Sequence, residues 1–182
     1  MSMIMLDRDG VLNQDRVDYV KTPEEMILIT GAARAVARLN RAGVTTVVVT
    51  NQSGVGRGIF DEDMLAQIHT KLREELAREN AHLDYILFCT DHPDRPTGRR
   101  KPAPGMLQEA LEHFSAASAA TPMVGDSLRD LEAAAALGCP RILVRTGHGE
   151  KTLKVGLPES VQPVAIYDDL AAVVDALLEG TL

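Results

Sequence analysis

Positive charge is in short supply in this sequence: 19 Lys and Arg stand against 26 Asp and Glu, a formal net charge of −7. That balance disfavours a nucleic-acid or anionic-membrane surface, so any bound phosphate must meet a local cluster of cations rather than a basic face. No nucleic-acid or membrane partner is expected, and a small molecule suits the charge better than a polymer. Cysteine is equally scarce, with Cys89 and Cys139 alone, which excludes a disulfide framework. The first residues hold neither a basic n-region nor a long apolar h-region, which predicts a cytoplasmic location. No apolar run approaches the roughly 18 residues that a membrane-spanning helix needs. Internal repeats and composition shifts are missing too, so residues 1–182 read as one domain, large enough for a sizeable core.

What is present begins with residues 3–13, MIMLDRDGVLN, an apolar run that ends abruptly in two acids. The run reads as a buried parallel strand that delivers Asp7 and Asp9 to its carboxyl end, where ligands gather in such sheets. Gly10 lets the backbone leave sharply. Taken alone, a D-x-D pair is more often an ordinary pair of turn acids. In a cleft, however, two such carboxylates repel each other and an anionic substrate, so they require a cation. Magnesium is the natural one, a hard ion that prefers oxygen ligands.

The rest of the chain alternates helical and strand patterns. A polar loop over residues 14–25 should lie beside the site. A helix is predicted over 31–42, closed by Gly43, and a β-branched strand over 44–50. The spacing of Met64, Leu65, Ile68, Leu72 and Leu76 predicts a helix over 61–80. A strand follows at 85–90, and a proline-containing irregular loop at 89–104 carries the basic run Arg99, Arg100 and Lys101. Further expectations are a helix over 105–114, a strand over 122–125 ending at Asp126, a helix over 128–137 and a strand over 142–144. A glycine-rich loop at 146–158, a strand at 164–167 and a final helix capped by Asp168 complete the pattern. This is the signature of a doubly wound, mostly parallel α/β sheet. In such a sheet Asp7 and Asp9, the polar stretch from Thr50 through Asn51 and Gln52 to Ser53, and Asp126 share one rim, with Lys101 entering from the loop before a helix.

The segments LDRDG, VVVTNQSG, RKPAPGML and MVGDSLRD resemble the four motifs of the haloacid dehalogenase superfamily, in the subgroup that holds the histidinol and heptose bisphosphate phosphatases. The likeness runs from about Met3 to Thr146 and is greater to the heptose bisphosphate phosphatases. It implies a Rossmann-like domain without a cap, an open site bordered by loops, and magnesium-dependent hydrolysis of a sugar bisphosphate. That reaction would serve the supply of activated heptose for lipopolysaccharide or another surface glycan.

By resemblance, Asp7 is the nucleophile that becomes a transient aspartyl phosphate, and Asp9 the acid and then the base. Magnesium would be held by the Asp7 side chain, the Asp9 carbonyl and Asp126, with Asp130 supporting its waters. Thr50 and the Asn51 amide, with Gln52 and Ser53 beside them, would bind phosphoryl oxygens, and Lys101 would neutralise their charge. Asp15, Tyr19 and Arg100 would contact the sugar bisphosphate, Arg100 through its planar fork.

The chain departs from these relatives in three places. Of a four-ligand zinc loop, Cys89 remains, Asp91 stands where a His would be, His92 follows one later, and Thr97, Gly98 and Arg99 replace two cysteines. No structural zinc is expected. Ser127 replaces a Lys, and the stretch from Asp9 to Tyr19 is one residue longer. His69, His82 and His113 are read as structural, Cys139 as a small buried hydrophobe, and His148 as able to approach the rim. A monomer is expected. Two other readings fit the same motifs: a histidinol-phosphate phosphatase, and a catalytically silent binding protein, against which the intact pair of acids argues.

Overall fold

The computed structural model describes residues 2–180. Its centre is β1 (Met3–Leu6), every residue of which is buried. β2 (Thr45–Asn51) and β4 (Met123–Gly125) flank it, and β3 (Tyr85–Cys89), β5 (Arg141–Val144) and β6 (Val164–Tyr167) extend the sheet outward. The order is β3-β2-β1-β4-β5-β6, and all pairings are parallel. Register is set at the middle, where Leu6 lies opposite Val48 on one side and Val124 on the other.

Parallel strands buried on both faces need apolar residues at every position, and the period of two sends alternate side chains to opposite layers. Ile4, Leu6 and Val48 pack beneath α1 (Ala32–Arg41), α3 (Glu62–Ala77) and α7 (Leu170–Glu179). Met3, Met5, Val47 and Val49 pack against α4 (Gly105–His113) and α5 (Leu128–Ala136). Because the chain winds one way from β1 to β3 and the other way from β4 to β6, the order reverses between β1 and β4. The carboxyl ends of these two strands open a crevice there.

The predicted elements all form, with ends shifted by a residue or a few. Asp61 caps α3 by accepting from the Met64 N–H at 2.8 Å. The cap of α7 differs from expectation: Asp169 accepts from the Ala172 N–H at 2.9 Å, while Asp168 lies 3.3 Å from Arg145. The glycine-rich segment is also not all loop. It contains α6 (Gly149–Val155), whose Thr152 hydroxyl donates to the Asp126 carbonyl at 3.0 Å. A four-residue helix, α2 (Ser53–Gly56), follows β2 directly. Both are too short to show an apolar period. Among the described residues no helix is long and apolar enough to cross a membrane.

Candidate active site

The Asp7 N–H donates to the Val124 carbonyl at 2.9 Å, so the β1–β4 pairing runs on into the crevice and fixes the first acid at the switch point. The chain then turns back on itself: Leu12 N–H bonds the Arg8 carbonyl and Gly10 N–H the Asn13 carbonyl. Gly10 has φ +83°, and a Cβ there would strike the Asp126 carboxylate and Gly147. This turn therefore requires glycine for both conformation and space. Asp126 follows β4, and Asp130 sits in the first turn of α5, where it closes a capping box with Ser127.

Carboxylate oxygens of Asp7, Asp126 and Asp130 all lie within 4.8 Å of one another. Lys101 is the cation among them, 2% exposed, with its Nζ 3.1 Å from Asp7 and 2.6 Å from Asp130. It also donates to the Val49 carbonyl at 2.7 Å. Burial works against its charge, but Asp130 and Asp7 prevail and raise its pKa. One ammonium does not balance three carboxylates. Burial pushes Asp7 up to about 7, against the pull of Lys101 and with repulsion from Asp130 and Asp9. Burial, followed by repulsion from Asp7 and Asp130, pushes Asp126 up to about 8. A hard, oxygen-seeking divalent cation fits this donor set and answers its shortage of positive charge.

Asp9 has the opposite surroundings. Arg8 Nη2 donates to both of its oxygens at 2.9 Å, Asn13 Nδ2 to Oδ1 at 2.8 Å and Gln52 Nε2 to Oδ2 at 2.8 Å. Burial disfavours the charge on Asp9, yet Arg8, Asn13 and Gln52 overcome it and hold the carboxyl below its usual range. Arg8 is itself 1% exposed, and its Nη1 lies 3.2 Å from Nε2 of His69 on α3.

The other predicted residues surround a cleft of about 520 Å³. Asp7, Asp9, Asp15, Tyr19, Asn51, Gln52, Ser53, Arg100, Lys101, Asp126 and Asp130 all line it. Thr50 lies just beneath, buried, accepting from Gln52 Nε2 at 2.9 Å. The Asn51 side chain holds the backbone of Lys101 at both ends, donating to its carbonyl at 2.9 Å and accepting from its N–H at 3.1 Å. Arg57 and Arg129 line the cleft together with Arg100. Burial, and then the charge of Arg129, lower the pKa of Arg100. Neither Arg100 nor Arg129 forms an ion pair among the described residues.

Sequence reasoning missed several parts of this assembly. The segment after β5 clamps the site: Thr146 donates to the Gly10 carbonyl at 2.6 Å, and the His148 N–H donates to Asp126 Oδ2 at 2.7 Å. The His148 ring does approach the rim, as expected from the sequence, lying 2.7 Å from Asp15 in the cleft lining. Arg8, Asn13, Arg57, Arg129 and the buried His69 were not assigned to the site by the sequence either. In the loop after β3, Asp91 accepts from the Thr97 N–H at 2.6 Å, and Arg99 binds Glu109 through two nitrogens. These contacts fasten a loop whose Cys89 is buried.

The HAD-hydrolase-like family model matches residues 98–173. The chain is 46% identical over 178 residues to the D-glycero-beta-D-manno-heptose-1,7-bisphosphate 7-phosphatase of Pseudomonas aeruginosa, covering 98% of each chain. Against the Bordetella bronchiseptica protein of the same name it is 47% identical over 180 residues, covering 98% of this chain and 99% of the other. Among solved structures, the D,D-heptose 1,7-bisphosphate phosphatase from B. bronchiseptica, complexed with magnesium and phosphate, superposes with a TM-score of 0.94 at 46% identity over 99% of both chains. With likeness of this degree along nearly its whole length, the chain belongs to the D-glycero-D-manno-heptose-1,7-bisphosphate 7-phosphatase family of HAD-like hydrolases.

Proposed function

We propose that the protein is a magnesium-dependent phosphomonoesterase that removes the 7-phosphate of D-glycero-β-D-manno-heptose 1,7-bisphosphate. The observation that carries this reading is the cluster of Asp7, Asp126 and Asp130, with Lys101 paired to Asp7 and Asp130, at a cleft that Arg57, Arg100 and Arg129 also line. One phosphate would sit against the acids and Lys101, the second against the arginines. The same arginines disfavour histidinol phosphate, whose ammonium would meet like charge.

Asp7, Asp126 and, through its carbonyl, Asp9 would hold magnesium, with Asp130 beside them. Bound there, the ion supplies the positive charge that lets Asp7 ionise and approach a phosphate dianion. Asp7 attacks phosphorus, and the bond from phosphorus to the sugar oxygen breaks as Asp9 gives that oxygen a proton. Asp9 then takes a proton from water, whose oxygen attacks the aspartyl phosphate and frees Asp7 and inorganic phosphate. Lys101, Thr50 and the Asn51 amide bind the phosphoryl oxygens through both steps. To donate its proton, Asp9 must give up part of its four-bond cradle, which favours the ionised form.

We infer further that the enzyme acts as a cytoplasmic monomer on a small sugar bisphosphate, without nucleic-acid or membrane partners, in the supply of activated heptose. A single chain supplies every cleft residue named. Incubation of the protein and magnesium with the α and β anomers, followed by phosphorus NMR, tests the main reading. Loss of the 7-phosphate, faster from the β anomer, is expected. No hydrolysis, or loss of the 1-phosphate, would overturn it.

A further inference from the structure

Arg8 is an expensive residue to place where it lies. Its guanidinium is withdrawn from water, its Nε has no hydrogen-bond partner among the described residues, and its one ion-pair partner is Asp9. Desolvation can cost such a buried ion pair more than its attraction returns, so net stability does not by itself account for it. What fixes the far side of the guanidinium is His69, 61 residues away on α3.

The chemistry of that contact is constrained. Arginine has no acceptor, so Nη1 must donate to Nε2, and His69 must be the neutral tautomer with its proton on Nδ1. Burial, with the nearby charge of Arg8, lowers the His69 pKa to about 3, in keeping with a neutral ring. A neutral acceptor holds the guanidinium without cancelling its charge. A carboxylate at the same place would compete with Asp9 for Arg8. The ring is braced in turn by Phe88 on β3, with centroids 5.7 Å apart, and by a helix whose Leu65, Ile68 and Leu72 are in the core.

We propose that His69 is a positioning residue for the reaction: it holds Arg8 in place through Nε2, and Arg8 in turn holds the Asp9 carboxylate beside the nucleophile. The proposal rests on the reading of Asp9 as the acid and base. When Asp9 gives up part of its cradle to serve the leaving oxygen, Arg8 keeps one neutral partner and stays where it is. Asp9 therefore returns to the same place for the second step. Loss of the brace affects the placement of Asp9 and leaves the phosphate and sugar contacts alone, so it lowers kcat more than it raises KM.

The test measures kcat, KM and melting temperature for His69→Leu, His69→Met and His69→Gln on heptose 1,7-bisphosphate with magnesium, with Asp9→Asn as a control. Glutamine can place Oε1 where Nε2 lies, whereas leucine and methionine roughly match the volume, leucine with no acceptor and methionine with only a weak thioether one. The expected result is a loss of about tenfold in kcat for the apolar variants with KM changed by less than about twofold, and recovery to near wild type with glutamine. A residue that merely fills space would give the reverse order, because an apolar side chain suits the core better than an amide. Leucine or methionine turning over as fast as glutamine would overturn the proposal. Should leucine fail to fold, methionine against glutamine carries the same comparison. Adding His69→Leu to Arg8→Met should cost nothing more in kcat, and a full additional loss would show that His69 does not act through Arg8. A slow Asp9→Asn enzyme beside an unaffected His69→Leu enzyme defeats this proposal alone, while an active Asp9→Asn enzyme defeats the role of Asp9 on which it rests.

Discussion

Asp7 and Asp9 are separated by a single residue in sequence, and their surroundings have opposite electrostatic sign. Asp7 faces Asp126 and Asp130 with Lys101 as the sole counter-charge among the described residues, and burial pushes it up to about 7. Asp9 faces Arg8, Asn13 and Gln52 and is held below the usual carboxylate range. The side of Asp7 has too little positive charge, a deficit that a divalent ion can fill. The side of Asp9 already carries all the donors that its oxygens can accept. Where two like groups are driven apart in this way, their roles separate as well. One carboxylate has room for a cation and a phosphate, and the other is held ionised and must give up part of its cradle to carry a proton.

The largest effect that would break this contrast is Asp7→Asn. It removes the proposed nucleophile and a metal ligand while barely changing volume, so turnover should fall by about 10⁴-fold or more with the melting temperature nearly unchanged. Appreciable residual turnover would remove Asp7 from the nucleophile role. Lys101→Met comes next. With the ammonium gone, Asp7 and Asp130 face each other uncompensated, and urea unfolding of the magnesium-free protein should show a loss of about 3–5 kcal/mol. Magnesium should restore part of that loss, and no restoration would argue against a cation site among these acids.

Much of the Asp7 side was legible in the sequence, and much of the Asp9 side was not, for a physical reason. Asp7, Lys101 and Asp126 each sit at a strand end or before a helix, so the local period that announces the element also announces the residue. Asp130 was ambiguous because helical spacing cannot tell an exposed acid from one buried against a lysine 29 residues upstream, an ion pair of 2.6 Å. His69 lies on an apolar helix face, where a histidine most often only packs, and its partner Arg8 is remote in sequence. The clamp formed by Thr146 and His148 was hidden for a similar reason, since α6 is too short to show a period and its contacts run to Gly10 and Asp126. The central strands β1, β2 and β4 were readable because parallel strands buried on both faces have nearly continuous apolar runs.

A smaller and sharper test separates the two sides by pH. On the Asp7 side the shifts are upward. Between the ordinary value of 3.8 and the folded values of about 7 and 8, the native metal-free protein binds more protons at Asp7 and Asp126 than the unfolded chain does. Their contribution to stability is therefore present at low pH and is lost as pH rises through that window. Magnesium neutralises the same carboxylates, so the rise in melting temperature on adding it should be greater at about pH 8 than at about pH 5. Equal rises would mean that the ion does not bind at these acids.

On the Asp9 side the sign reverses. His69 falls from 6.5 to about 3 in the folded protein, so the unfolded chain binds the extra proton between those values. Its contribution is complete above 6.5 and drains away as pH falls, at up to about 1.4 kcal/mol per pH unit for one proton. The depressed Asp9 adds to the same trend at lower pH. His69→Gln keeps the acceptor for Arg8 and removes the titration, so its stability between about pH 6.5 and pH 4 should fall less steeply than that of the wild type. Urea unfolding at a series of pH values measures that slope directly. An unchanged slope would mean that His69 carries its proton in the folded protein. It could not then accept from Arg8, and both the neutral brace and the contrast between the two acids that depends on it would fail together.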